Sequence, residues 1–169
     1  MHHHRPYDRA MTATTKAAPL TIPERIRVWG AHPEAYRQAL ALAGAIADAD
    51  LERSLIDLLD VRVSQINGCA FCLEMHTQAA RKRGESEERL YALNASEETS
   101  IFTARERAAL TLAEAITLIR EGHVPDPVWA AAAEQFTEAE LAAVVLNATM
   151  MNFWNRIAIT SRTTPGHRA

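Results

Sequence analysis

The chain has 169 residues, enough for one domain with a sizeable core, and its 48% hydrophobic and 23% charged residues with 6 Gly and 7 Pro exclude collagen-like or disordered readings for its bulk. Eighteen basic against twenty-one acidic side chains leave a net charge of −3, which offers no electrostatic footprint for nucleic acid or an anionic membrane. No apolar run approaches the ~20 residues of a membrane span and no secretory signal opens the chain, so a cytoplasmic protein is expected.

Residues 1–20 read as a tag remnant and loose lead-in: Met1-His2-His3-His4-Arg5-Pro6 is tag-like, with a native start at Met11, and Thr12 to Pro19 is small and polar. One domain is expected over 21–160, with a C-terminal tail over 161–169. Past Pro23, apolar residues recur at three- and four-residue steps without strand-like alternation, which predicts an all-α helical bundle. Pro33 suits the first turn of a helix that carries Tyr36, Leu40, Ala43 and Ile46 on one side and ends near Asp48. Asp50 then caps a second helix with Leu51, Leu55, Leu58, Leu59 and Val63 toward the core, stopping at Asn67-Gly68. A third helix begins at or just before Cys69 and ends on Arg81-Lys82-Arg83 before Gly84. Ser86 caps a short helix reaching Leu93. The pairs Thr103/Glu106 and Thr137/Glu140 are capping boxes. The first opens a helix through Leu110, Ala113, Ile116 and Leu118 to Gly122; the second opens one that extends to about Thr160. Between them, Asp126-Pro127 predicts an N-cap and a short helix over Val128 to Gln135.

The only two cysteines fall in Cys69-Ala70-Phe71-Cys72, four residues before His76. A pair this close cannot staple distant segments, so the spacing speaks to local redox or metal chemistry. At 100° per residue, positions 69, 72 and 76 share one narrow helical sector. Unpaired backbone N–H groups at a helix start favour a thiolate, and Cys72 lies deeper in that turn and one turn from His76, which makes it the expected nucleophile. Residues three apart on a helix can close a disulfide with a modest adjustment of the first turn. Asp57, twelve residues before Cys69, is expected to approach His76 if the turn folds the two helices together, and could then orient the imidazole. Inert buried thiols and a solvated Asp57 are the plain alternatives. Phe71 reads as packing, and Asn147, Asn152, Asn155 and Trp154 as helix–helix hydrogen bonding and core rather than pocket lining. His32, His123 and His167 have no partners in sequence. Zinc on Cys69, Cys72 and His76 is a rival reading that wants a fourth ligand; a decarboxylase or isomerase acting on a small carboxylated metabolite is another.

The stretch Arg62-Val63-Ser64-Gln65-Ile66-Asn67-Gly68-Cys69-Ala70-Phe71-Cys72 through Leu73-Glu74-Met75-His76-Thr77 resembles the core motif of the carboxymuconolactone decarboxylase superfamily, in its AhpD-like alkyl hydroperoxidase branch. The resemblance runs from about Ile22 to Ile159 and includes the starts Phe102-Thr103-Ala104-Arg105-Glu106 and Phe136-Thr137-Glu138-Ala139-Glu140. It implies an antioxidant thiol peroxidase or disulfide reductase that needs no cofactor. By position, Cys72 would be oxidised by a peroxide, Cys69 would protonate the leaving group and close the disulfide, and His76 with an upstream acid would relay protons. It further implies a thiol or dithiol electron donor, lipoyl-type or a peroxiredoxin partner, and a homo-oligomer, trimer or hexamer. The upstream acid is usually glutamate, where this chain has Asp57, and the well-studied peroxidase has histidine where this chain has Phe71. The decarboxylase branch generally lacks the cysteine pair.

Overall fold

The computed structural model describes residues 20–48 and 51–166, which form eight α-helices and a 3₁₀ segment with no strand among them. In chain order these are α1 (Val28–Ala31), α2 (Pro33–Ala47), α3 (Arg53–Asn67), α4 (Ala70–Lys82), α5 (Glu87–Ala92) followed by the 3₁₀ segment Leu93–Glu98, α6 (Ala104–Thr117), α7 (Asp126–Ala133) and α8 (Glu138–Ser161). The all-α expectation holds. The tag and lead-in, the Asp50 cap and His167 lie outside the described residues.

Helix α3 is the axis of the bundle, packed against α4, α6 and α8 at once. Leu55, Leu58, Leu59, Val61 and Val63 are buried, and a side chain of this size taken fully out of water contributes ~1.5–3 kcal/mol. Surrounded on three sides, α3 also buries Asp57, Asp60 and Ser64, so each must find a partner inside the protein. Gly68 ends α3 at φ 68°, a left-handed position that glycine adopts without the Cβ penalty. There the Gly68 N–H donates to the Gln65 carbonyl and the Cys69 N–H to that of Ser64, so α4 folds straight back along α3.

The two capping boxes form as the sequence predicts, and each is locked from outside in the same way. Arg89 stacks 4.8 Å over the Phe102 ring and donates to the Ile101 carbonyl and to Glu106. Arg105 stacks 4.0 Å over Phe136 and donates to the Gln135 carbonyl and to Glu140. The backbone N–H of Thr137, the Arg105 guanidinium and the Thr137 hydroxyl together hold the Glu140 carboxyl down at about 2, against an ordinary 4.5. A folded-state value below the unfolded one adds stability above the unfolded value and loses it as pH falls through the folded value. The urea midpoint of the wild type should therefore exceed that of Glu140→Gln at pH 5 and above, with the gap closing between about pH 4.5 and about pH 2. An unchanged gap over that window would refute the assignment.

Three boundaries and one face differ from the sequence reading. Helix α6 ends at Thr117 rather than at Gly122, because Leu118 and Ile119 face solvent and no burial supports another turn. The half-in residue of α7 is Pro125, whose carbonyl accepts from the Val128 and Trp129 N–H groups; Asp126 lies inside the first turn, where its charge faces the dipole's positive end. Helix α3 starts at Arg53, with Glu52 at the N-cap position. On α2, Ile46 is buried and Tyr36 and Ala43 are half-buried, but Leu40 is 51% exposed.

Candidate active site

The cysteine pair sits where α3 turns into α4. Cys69 is the N-cap of α4, in extended backbone conformation, and its sulfur accepts the Cys72 backbone N–H at 3.3 Å. The two sulfurs are joined in a disulfide, with Cα atoms 5.3 Å apart. Both residues are nearly buried, at 1% and 2% exposure.

A polar lattice inside the bundle holds this turn. Asn67, the last residue of α3, donates from Nδ2 to Asn152 Oδ1 at 3.0 Å and to Asn155 Oδ1 at 2.8 Å. Asn155 donates back to the Ser64 hydroxyl, while Asn152 donates to Thr117 and to the Ala148 carbonyl. Arg156 donates to Asn152 Oδ1 at 2.6 Å. These amides bond helices together, as the sequence reading preferred, and they anchor α8 against the residue two places before Cys69. Such a lattice fixes one geometry because every unmade bond in it costs ~1–3 kcal/mol.

Cys72 and His76 share α4, and with i, i+4 spacing they are neighbours on its surface. His76 Nδ1 lies 3.2 Å from a carboxylate oxygen of Asp60. The expected approach of Asp57 to His76 does not occur. Asp57 is held at both oxygens by Arg83, with Nε to Oδ2 at 2.6 Å, and Arg53 lies 3.7 Å away. The reason is the register of the α3–α4 hairpin. His76 and Asp60 each stand eight residues from Gly68, so they meet across it, whereas Asp57 is a turn further back and faces the far end of α4. Equal counting from Gly68 was the signal available in the sequence.

Beside Cys72 opens an apolar cavity of about 270 Å³. Its walls come from Trp29 of α1, Tyr36 of α2, Phe71, Cys72 and Met75 of α4, and Trp154 of α8. Tyr36 meets Trp154 edge-on at 5.3 Å and Trp29 at 6.5 Å, so the rings form a continuous aromatic side. Cys72 is part of this wall and Cys69 is not. Trp154 thus lines a pocket, contrary to the core-packing expectation, and Phe71 both packs on the core and borders the cavity. Ser161, a residue 1% exposed, also borders the cavity, and its hydroxyl has no hydrogen-bond partner among the described residues. His32 and His123 are exposed. Among the described residues, no three His, Cys, Asp or Glu side chains converge so as to hold a metal ion, so the zinc reading lacks a ligand set.

The family model for carboxymuconolactone decarboxylase matches residues 33–115. An uncharacterized Bacillus subtilis protein, YdfG, is 38% identical over 136 residues, which are 80% of this chain and 92% of its own length. A crystal structure from Agrobacterium tumefaciens, of a protein of unknown function suggested to be the antioxidant defence protein AhpD, is similar at 33% identity. That match has a TM-score of 0.83 over 86% of this chain and all of the other. An alkylhydroperoxidase AhpD core from Ralstonia eutropha, an uncharacterized peroxidase-related protein, shares the fold at 20% identity and TM-score 0.72, over 82% of this chain and 74% of its own. No helix among the described residues is long and apolar enough to cross a membrane.

Proposed function

Since the chain belongs to the carboxymuconolactone decarboxylase family and has an AhpD-like fold with a C-x-x-C disulfide, we propose that it is an antioxidant dithiol oxidoreductase that reduces organic hydroperoxides. The observation that carries the reading is the placement of one cysteine of the pair, Cys72, in the wall of an apolar cavity.

In the reduced protein, the Cys72 thiol gives its proton to His76 and the thiolate attacks the distal oxygen of ROOH. The O–O bond breaks, the alkoxide takes the Cys69 proton to leave as ROH, and Cys72 becomes a sulfenic acid. The Cys69 thiolate then attacks the Cys72 sulfur, and hydroxide leaves with the proton held on His76 as water. Dithiol and ROOH thus become disulfide, ROH and water. A donor dithiol restores the pair by exchange and is itself oxidised to a disulfide. Because both sulfurs are nearly buried and Cys72 alone of the pair borders the cavity, a donor reaches the disulfide at Cys72, which supports a slender arm of the lipoyl type over a partner docking face-on. Homo-oligomer formation belongs to the same reading, supported by Leu40 and Leu42 of α2 and Phe153 of α8, all 43–53% exposed. Light scattering at the mass of one 18.7 kDa chain would remove that part.

The test is stopped-flow oxidation of the reduced protein, read as loss of free thiols. Cumene hydroperoxide should show a KM at least about 10-fold below that of hydrogen peroxide, because only the former has an apolar body to bury against the aromatic wall. Trp154→Ala should remove that preference and leave the hydrogen peroxide rate within about twofold. If both thiols stay free after either peroxide, the redox reading is lost.

A further inference from the structure

The cavity beside Cys72 has a second sulfur in its wall, which the proposed reaction leaves unused. Met75 follows Cys72 by three residues on α4, the spacing that places two side chains on one helical face, and both line the same wall. They differ in access, for Cys72 is 2% exposed and Met75 46%. Met151 of α8 is buried and Met150 half-buried, and neither lines the cavity. A thioether has no proton to lose, so its oxidation needs no base and follows access and the local concentration of oxidant. The rings of Trp29, Tyr36 and Trp154 supply the surface on which an apolar hydroperoxide is held beside that sulfur.

We propose that Met75 is a modification site, where a hydroperoxide held in the cavity converts the thioether to methionine sulfoxide once the cysteine pair is oxidised, and that the sulfoxide then weakens the cavity's hold on further hydroperoxide. The feedback rests on the dithiol reading above; the oxidation of Met75 itself does not. The Met75 sulfur attacks the distal oxygen of ROOH, the O–O bond breaks, and the hydroxyl proton passes to the departing alkoxide. Thioether and ROOH thus become sulfoxide and ROH. While Cys72 is free it takes the peroxide first, because a thiolate is the stronger nucleophile. With the disulfide closed, Met75 is the sulfur of this wall that can still accept an oxygen. A sulfoxide sets a strong dipole among aromatic and aliphatic side chains and persists until a sulfoxide reductase removes it. A protein short of its electron donor thereby stops collecting hydroperoxide that it cannot reduce.

The experiment first closes the disulfide with diamide, so that neither cysteine need react with peroxide, and then reads sulfoxide at each methionine by peptide mass spectrometry. N-acetylmethionine amide in the same tube reports oxidation by exposure alone. Cumene hydroperoxide relative to hydrogen peroxide should favour Met75 at least about 10-fold more than it favours the free amide, and Trp154→Ala should abolish that excess. Met150 and Met151 should show none. Met75 oxidised with the same relative rates as the free amide, or an excess that Trp154→Ala leaves intact, would overturn the site. Dithiothreitol then reopens the disulfide and leaves the sulfoxide in place. The KM for cumene hydroperoxide in thiol oxidation should now stand about 10-fold above that of untreated protein, and the two epimer-specific methionine sulfoxide reductases together should bring it back. In Met75→Leu the same treatment should leave that variant's own KM unmoved. A treated wild type that keeps its KM would overturn the feedback. One equivalent of cumene hydroperoxide added to reduced protein should close the disulfide without sulfoxide, and sulfoxide formed ahead of the disulfide would overturn the order of events. Thiols that stay free there, with Met75 oxidised as described, would remove the dithiol reading and uphold the Met75 site.

Discussion

Cys72→Ser should lose peroxide-driven turnover altogether, a fall of roughly 10³-fold or more, while Cys69→Ser should still react once and stop. Cys72 borders the cavity and lies inside the first turn of α4, where backbone N–H groups favour a thiolate. Cys69, the N-cap, does not line the cavity, and its sulfur accepts the Cys72 backbone N–H, so it is expected to meet a peroxide only through its neighbour. In Cys69→Ser the sulfenic acid formed on Cys72 has no thiol to close on. It should be trapped by dimedone in intact-mass spectra as a single adduct. Oxidation of Cys72→Ser at the wild-type rate, with Cys69→Ser inert, would exchange the two roles.

Arg83→Ala should cost about 2–4 kcal/mol of stability with little effect on thiol oxidation. Asp57 is 2% exposed and Arg83 binds both of its oxygens, with Arg53, 3.7 Å away, as the only second cation among the described residues. Removing the guanidinium strands a carboxylate against the core. The cost is placed below that of a fully buried pair because the Arg83 side chain is 40% exposed and water can follow it in. Replacing both partners, as Asp57→Leu with Arg83→Met, should recover most of the loss, since no charge is then left buried. Urea denaturation of the three variants measures this. Asp57→Asn that keeps its urea midpoint yet slows disulfide formation by tenfold or more would return Asp57 to the proton path.

Helix order, the all-α class, the cysteine pair at a helix start and both capping boxes were legible from one sequence because each is a local property. Periodicity over three and four residues, a hydroxyl three places before a glutamate and a left-handed glycine all act within a turn or two of the chain. The i, i+4 relation of Cys72 and His76 belongs to this class, for it needs only that α4 be a helix. What lies across helices was not legible in the same way. The carboxylate that meets His76 is decided by hairpin register, and a shift of one turn exchanges Asp60 for Asp57. Leu40 was expected to be core and is exposed because burial depends on what other helices cover, which α2 alone cannot announce. Trp154 carries the same lesson in reverse. It points from α8 into a space bounded by α1, α2 and α4, and a cavity among four helices exists only once all four are packed. The chemistry of the pair was therefore a matter of sequence, whereas its base partner and its pocket were a matter of packing, since both depend on contacts between residues that the chain itself keeps far apart.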